Sequence, residues 1–241
     1  MLSPIKAVAL RTIKYDDRHS IVTVWSAEHG RLALLVPASG SREACRMRAI
    51  MMPLGLFEGV VDMRPGRDLF NIRDVRPMVV LSSLSVSPAK AVVAMFLAEV
   101  LEKVLRDTPP DSVLAEFVFD AVVVLDSMSP RGVANFPIVF LCRLAGMLGV
   151  EPDIGGWEKG RMLDMTDGVY RSSASLTGRS LNSEESQIAA LVQRMSFSSA
   201  QRIPFTRRLR REIIDTILEY YSMHLTPVDS LRSLSVVKDL L

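Results

Sequence analysis

Apolar and polar residues alternate along the first 80 positions and then change period. Lys6–Ile13 (KAVALRTI) has the two-residue rhythm of a strand. Ser20–Ser26 (SIVTVWS) is β-branched and aromatic, and Arg31–Val36 follows after AEHG. Gly30 can take the positive φ that closes a short hairpin. Leu54–Met63 (LGLFEGVVDM) and Asp68–Arg76 (DLFNIRDVR) form a second pair joined at RPG. Ala38–Pro53 lies between the pairs and reads as a loop with one helical turn. Five short strands at this spacing predict a small barrel or sandwich.

The period changes near Pro88. Val92, Val93, Phe96, Leu97, Val100, Leu101, Val104 and Leu105 recur at helical intervals, with Ser87 as expected N-cap and Pro88 as first helical residue. TPPD stops this helix. Ser112–Met128 predicts a second, and Asn135–Gly149 a third, with Asn135 as its cap and Gly149 just past its end. Residues 150–180 are rich in Gly and Ser and predict a loop with one or two short extended pieces. Helices resume after Asn182, which pairs with Glu185 as a capping box, and again after Thr206. The last long helix has an apolar face of Leu209, Ile213, Ile214, Ile217, Leu218 and Tyr221.

Over 241 residues, 49% hydrophobic and 23% charged residues describe a globular chain with enough core to fold unaided. The net charge of +2 excludes a polycation. Its distribution is uneven. Residues 1–80 carry 12 Lys+Arg against 8 Asp+Glu, or +4, whereas residues 81–241 carry 17 against 19, or −2. The basic excess at the N-terminus fits a modest footprint for a polyanion. The start lacks a signal-peptide core and no uncharged apolar run spans a bilayer, so a cytoplasmic protein is expected.

Catalytic motifs are missing. There is no phosphate-binding Gly-rich loop, nucleophile elbow or His-Glu-x-x-His. Asp16–Asp17 is a carboxylate pair that a solvated turn explains better than a metal does. Cys45 and Cys142 are the only cysteines, and no four-ligand zinc spacing exists. Cys142 reads as a buried small hydrophobe. Cys45 neighbours Arg42, Arg46 and Arg48, which would lower a thiol pKa, but no base stands near it in sequence.

Among the basic residues of the strand region, Arg11, Lys14, Arg18, Arg31, Arg42 and Arg46 are the candidates for binding. On a closed barrel they would share loops and one sheet face and track a phosphate backbone, with Tyr15 or Trp25 stacking on bases. Solvation of a β surface explains the arginines equally well, and Trp25 suits a core as well as a platform. Arg207, Arg208, Arg210 and Arg211 crowd a helix N-terminus against the macrodipole, which hints at a use.

The order of these features resembles the RecO family of bacterial DNA repair and recombination mediators. Leu10-Arg11-Thr12, Tyr15-Asp16-Asp17, Ile21–Trp25 and Gly30-Arg31 follow the family opening. Gly40–Arg42, Pro53–Gly59, Ala94–Leu105, Phe136–Asp153 and Ser230–Leu241 follow its later segments, with residues 150–205 the loosest part. The resemblance implies an α+β chain: a five-stranded OB-fold DNA-binding barrel over residues 1–80, then an α-helical domain over 81–241 with an irregular insertion at about 150–181. It implies a non-enzymatic mediator that binds single- and double-stranded DNA. Such a mediator anneals complementary strands and assists RecA loading onto DNA coated by single-stranded-DNA-binding protein, in a cytoplasmic, nucleoid-associated setting.

RecR is an implied partner, and RecA an indirect one. The acidic C-terminal tail of single-stranded-DNA-binding protein is another, expected at Arg131 and Arg143 or at Arg207, Arg208, Arg210 and Arg211. Many family members hold zinc through a cysteine cluster after the Leu-Gly-x-x-Pro helix. Glu151–Leu181 contains no cysteine, so the zinc module is expected to be absent or replaced by a metal-free hairpin around Gly160–Tyr170, with no cofactor. An OB-fold adaptor without DNA binding and an RNA-binding protein remain alternatives.

Overall fold

The structure is a computed structural model that describes residues 1–176, 178–228 and 230–240. Thr177 in the expected irregular insertion and Leu241 in the C-terminal match lie outside the described residues. The chain forms two compact units. One is Met1–Ser127 with Leu231–Val237; the other is Met128–Ser230 with the chain from Lys238.

In the first unit β1 (Leu2–Lys14), β2 (His19–Ser26), β3 (Gly30–Pro37), β4 (Leu56–Asp62) and β5 (Leu69–Pro77) close into a barrel of order β1-β2-β3-β5-β4. All neighbours are antiparallel except β3 and β5. Alternation sends Ile5, Ala7, Ala9, Val22, Val24, Leu32, Leu34, Val36, Phe57 and Val61 into one interior cluster. Gly30 closes the β2–β3 hairpin at φ +65°.

Two bulges adjust the alternation. On β1, Ala9 pairs with Val24 but Arg11 pairs with Thr23, so Leu10 is an extra residue. Arg11 is in phase by number with Ile5, Ala7 and Ala9, and in a regular strand of the same sequence its side chain would point into the apolar interior; the bulge turns it outward. On β5, Arg76 pairs with Glu58 and Arg73 with Val60, so Asp74 and Val75 oppose Gly59 alone, with Asp74 at φ +57°. Ile72 and Val75 thereby pack inward while Arg73 and Arg76 stay exposed.

The expected loop between β3 and β4 holds a nine-residue helix, α1 (Arg42–Ile50). The Ser41 hydroxyl accepts from Ala44 N–H at 3.2 Å and starts it. Met47, Ile50 and the following Met51 pack on the barrel interior. The apolar face of α1 is thus short and gains a purpose only once the barrel exists.

α2 (Pro88–Val104) and α3 (Ser112–Ser127) follow, and both pack against β1. Ser87 stands at the α2 N-cap without a side-chain cap, a departure from expectation. Buried Lys90 in the first turn is satisfied by the Asp126 carbonyl at 2.6 Å and Ser83 Oγ at 2.8 Å. Asp111 caps α3 through Val113 and Leu114 N–H.

The second unit begins with α4 (Pro130–Val133) and α5 (Phe136–Met147). Asn135 does not cap α5. Its side chain instead donates to the carbonyls of Ala200 at 2.7 Å and Ile203 at 2.9 Å. A 3-10 turn at Ile154–Gly156 leads to a hairpin of β6 (Met162–Asp164) and β7 (Val169–Arg171) within the expected irregular stretch. Asp164 Oδ1 accepts from Thr166 and Asp167 N–H, and Gly168 completes the turn at φ +69°. A Cβ there would stand 2.7 Å from Tyr220 Oη, so glycine is required twice over.

α6 (Ser183–Gln193) opens with the expected Asn182–Glu185 capping box. α7 (Phe197–Ala200), α8 (Arg207–His224) and α9 (Leu234–Leu240) complete the described chain, α8 being capped by Thr206. α5 packs against α6, α7 and α8. Tyr221 on α8 donates to the Leu141 carbonyl at 2.7 Å, and Phe136 stacks on Phe197 at 4.9 Å between centroids.

Two outcomes follow. Asn182→Ala removes one half of the capping box and lowers stability by about 1 kcal/mol in urea unfolding. Asp164 supplies a pH-dependent term. Burial acts to raise its carboxyl pKa, but the N–H groups of Asp167 and Thr166, the Ser175 hydroxyl and Arg171 outweigh this and hold it below the usual carboxylate value. A depressed folded pKa adds stability above the unfolded value of about 4, and this is lost as pH falls through the folded value. Asp164→Asn therefore weakens the protein near neutrality and flattens the acid limb of a melting-temperature series below about pH 4.

Candidate nucleic-acid interface

One end of the barrel collects cations. The β1–β2 loop is a tight turn built by Asp16, whose Oδ1 accepts from Arg18 and His19 N–H at 2.6 Å each. The His19 side chain first, then Arg18 N–H, hold the Asp16 carboxyl below its usual range. The turn ties to the chain entering α1, because Ala38 N–H donates to the Arg18 carbonyl at 2.7 Å. Lys14, Arg18, Arg42 and Arg46 are all exposed. Arg42 and Arg46 stand one turn apart on α1. Lys14 pairs with Asp17 at 2.8 Å, but both side chains are solvated, so the pair exchanges easily. Arg18, Arg42 and Arg46 have no ionic partner among the described residues. Tyr15 is 59% exposed and free to stack.

Arg11 and Arg31 are placed differently. Arg11 pairs with Thr23 and Arg31 with Trp25, two positions apart on the outer face of β2. Both guanidinium groups lie 3.7 Å from Glu102 Oε1 on α2. They share one carboxylate yet keep 51% and 38% of their side-chain surface exposed. Trp25 is fully buried and pairs with Val8, so it is core and no stacking platform. Sequence reading also missed Arg73 and Arg76 on β5. The three-residue step from Ile72 to Val75, where a plain strand steps by two, was the available signal.

The arginines expected to bind a partner in the second unit have different surroundings. Arg143, expected on a tail-binding groove, fastens α5 to the end of α6 by donating to the Met195 carbonyl at 2.7 and 3.2 Å. Arg208 pairs with Glu212 at 2.7 Å, and Arg210 donates to the Phe205 carbonyl. Burial, then neighbouring Arg207, lower the Arg210 pKa. Arg211 reaches the Lys238 carbonyl at 2.6 Å and Asp239 at 3.2 Å. Arg207 is exposed. Arg131 lines a surface groove with Ser129, Pro130, Gln201 and Arg202. Arg202 was not foreseen and gives that groove a second cation.

The cysteines differ in setting. Cys45 is exposed, with Arg48 donating to its sulfur at 3.2 Å. Burial first pushes the Cys142 thiol up to about 12, making it a neutral group. Among the described residues no group of three or more His, Cys, Asp or Glu is arranged to hold a metal ion. No helix among them is long and apolar enough to cross a membrane.

Comparison with known proteins agrees with this architecture. The family description "Recombination protein O N terminal" matches residues 1–80, which hold the barrel, and "Recombination protein O C terminal" matches residues 87–234. A protein named DNA repair protein RecO from Azobacteroides pseudotrichonymphae is 30% identical over 237 residues, covering 98% of each chain. Those of the same name from Phocaeicola vulgatus and Porphyromonas gingivalis are 30% identical over 240 and 244 residues, covering 100% of this chain and 99% of theirs. Full-length coverage, both halves matched in order, and a closed five-stranded barrel at the N-terminus together place this chain in the recombination protein O family.

Proposed function

We propose that this chain acts in DNA repair as a non-enzymatic recombination mediator. Its barrel binds single- and double-stranded DNA, anneals complementary strands, and works with RecR to assist RecA on DNA coated by single-stranded-DNA-binding protein. The observation that carries the reading is the cluster of Arg18, Arg42 and Arg46, exposed and without ionic partners among the described residues, beside Lys14 and the exposed ring of Tyr15. Guanidinium groups at a loop and a helix start meet phosphate oxygens and release counterions, which binds any sequence. A ring that stacks on any base keeps the contact sequence-tolerant. Cations between two polyanions also reduce the repulsion that opposes annealing. Arg11 and Arg31 extend the surface, as do Arg73 and Arg76. The setting is the cytoplasm, at the nucleoid.

The acidic tail of single-stranded-DNA-binding protein fits the groove with Arg131 and Arg202. Two guanidinium groups beside the neutral Ser129 and Gln201 suit a terminal carboxylate. Arg143 is occupied by the Met195 carbonyl.

Arg18→Glu with Arg42→Glu should weaken binding to single-stranded DNA. The slope of log K against log salt should fall by about 0.7 for each phosphate contact removed. Unchanged affinity and slope in a folded double variant would remove the barrel end as the binding face. Tighter binding of matched RNA than DNA would favour an RNA-binding protein, and no binding of either would favour an adaptor. In a separate titration with a labelled acidic tail peptide, Arg131→Ala with Arg202→Ala should lose binding while Arg207→Ala with Arg208→Ala retains it. The reverse result moves the site to α8.

A further inference from the structure

The second unit contains a cavity that none of these roles uses. It lies between α6 and α8, is floored by Cys142 and Ala145 of α5, and is closed at one end by the β6–β7 hairpin. Its volume is about 170 Å³, close to the roughly 150 Å³ apolar cavity known to hold a benzene ring. Leu209, Ile188, Ala189 and Ile217 on its walls are partly exposed, so the cavity opens to solvent along the helices. It therefore has room for one large apolar side chain.

Two of its buried polar groups are neutral and incompletely satisfied. Tyr170 is 4% exposed, and its hydroxyl is buried without a hydrogen-bond partner. Burial pushes that phenol up to about 12, so it stays protonated and can donate. The Gln193 side chain donates to the Pro152 carbonyl, but its Oε1 is buried with no donor facing it. Buried polar atoms left unpaired are rare in native proteins, and two of them line this one cavity. A peptide group offers one acceptor and one donor, which complements a free hydroxyl donor and a free amide acceptor.

The rim adds a charge preference. Glu151, Glu185 and Glu212 line the cavity and are exposed, while no Lys, Arg or His among the described residues lines it. Glu151 has no ionic partner among the described residues. Glu212 pairs with solvated Arg208, a pair that a new cation can displace. An acidic segment would meet repulsion here, and a basic one attraction.

We infer that this cavity is a docking site for a partner protein segment in which one large apolar residue is flanked by basic residues. The apolar side chain fills the cavity, the peptide group beside it pairs with Tyr170 and Gln193, and the flanking cations meet the three glutamates. The site is separate from the Arg131–Arg202 groove and opposite to it in charge.

The test uses the full chain and two labelled peptides, Gly-Ser-Lys-Phe-Lys-Ser-Gly and its counterpart with Asp for Lys. The lysine peptide should bind about tenfold more tightly in fluorescence anisotropy. Ala189→Phe, which fills the cavity from a partly exposed wall, should abolish that binding. Glu151→Lys with Glu212→Lys should reverse the preference between the peptides. Tyr170→Phe should weaken binding by about three- to tenfold and leave the melting temperature of the free protein unchanged or higher, because the lost hydroxyl had no partner. Equal or tighter binding of the aspartate peptide, binding that survives Ala189→Phe in a folded variant, or no binding of either peptide overturns the proposal.

Discussion

Closure of the barrel is the constraint on which the first unit depends. The parallel pairing of Ala33–Leu35 with Leu69–Asn71 joins β3 to β5 and leaves the sheet without an edge. Once the sheet is closed, one face of every strand surrounds a space that water cannot fill. Every charged side chain must then point outward, whatever its position in the sequence. The bulges at Leu10 and Asp74 satisfy this demand for Arg11, Arg73 and Arg76. Met47, Ile50 and Met51, from α1 and the residue after it, pack on the same interior. The exposed arginines of the barrel are therefore set outward by the packing of its interior as well as by their own chemistry.

Two populations of arginine result. Arg143, Arg210 and Arg211 direct their donors at backbone carbonyls and hold helices or their ends in place. Arg18, Arg42 and Arg46 face water without ionic partners among the described residues. Arg11 and Arg31 lie between the groups, steadied by Glu102 yet still open to solvent. Net charge does not distinguish these populations; only the fold does.

Elements with strong local rules could be read from sequence. The five strands follow from alternation, the β2–β3 turn from Gly30, and the α6 start from Asn182 and Glu185. Features set by tertiary contact could not. The apolar face of α1 makes sense only against a closed barrel. Asn135 reads as a cap, but two carbonyls near α7 compete for its amide and win. Trp25 reads equally as platform or core until Val8 and the packing of α2 and α3 on β1 decide the matter. The candidate interface was partly legible, because Lys14, Arg18, Arg42 and Arg46 sit beside local turn and cap signals. Arg73 and Arg76 stayed hidden behind the bulge that exposes them, and Arg202 gained meaning only when folding set it beside Arg131.

The extra residue at Leu10 gives β1 something like a reading frame. Composition says that this strand is apolar with one arginine near its end. Phase decides whether that arginine greets solvent or strikes the barrel axis. Straightening the bulge with Leu10 kept would leave the composition of the segment untouched, yet it would exchange the faces of residues 11–14 relative to residues 5–9. In this small barrel a one-residue slip of register can thus be more severe than any single exchange of side chain at the same site, because it alters which side of the wall the following residues occupy.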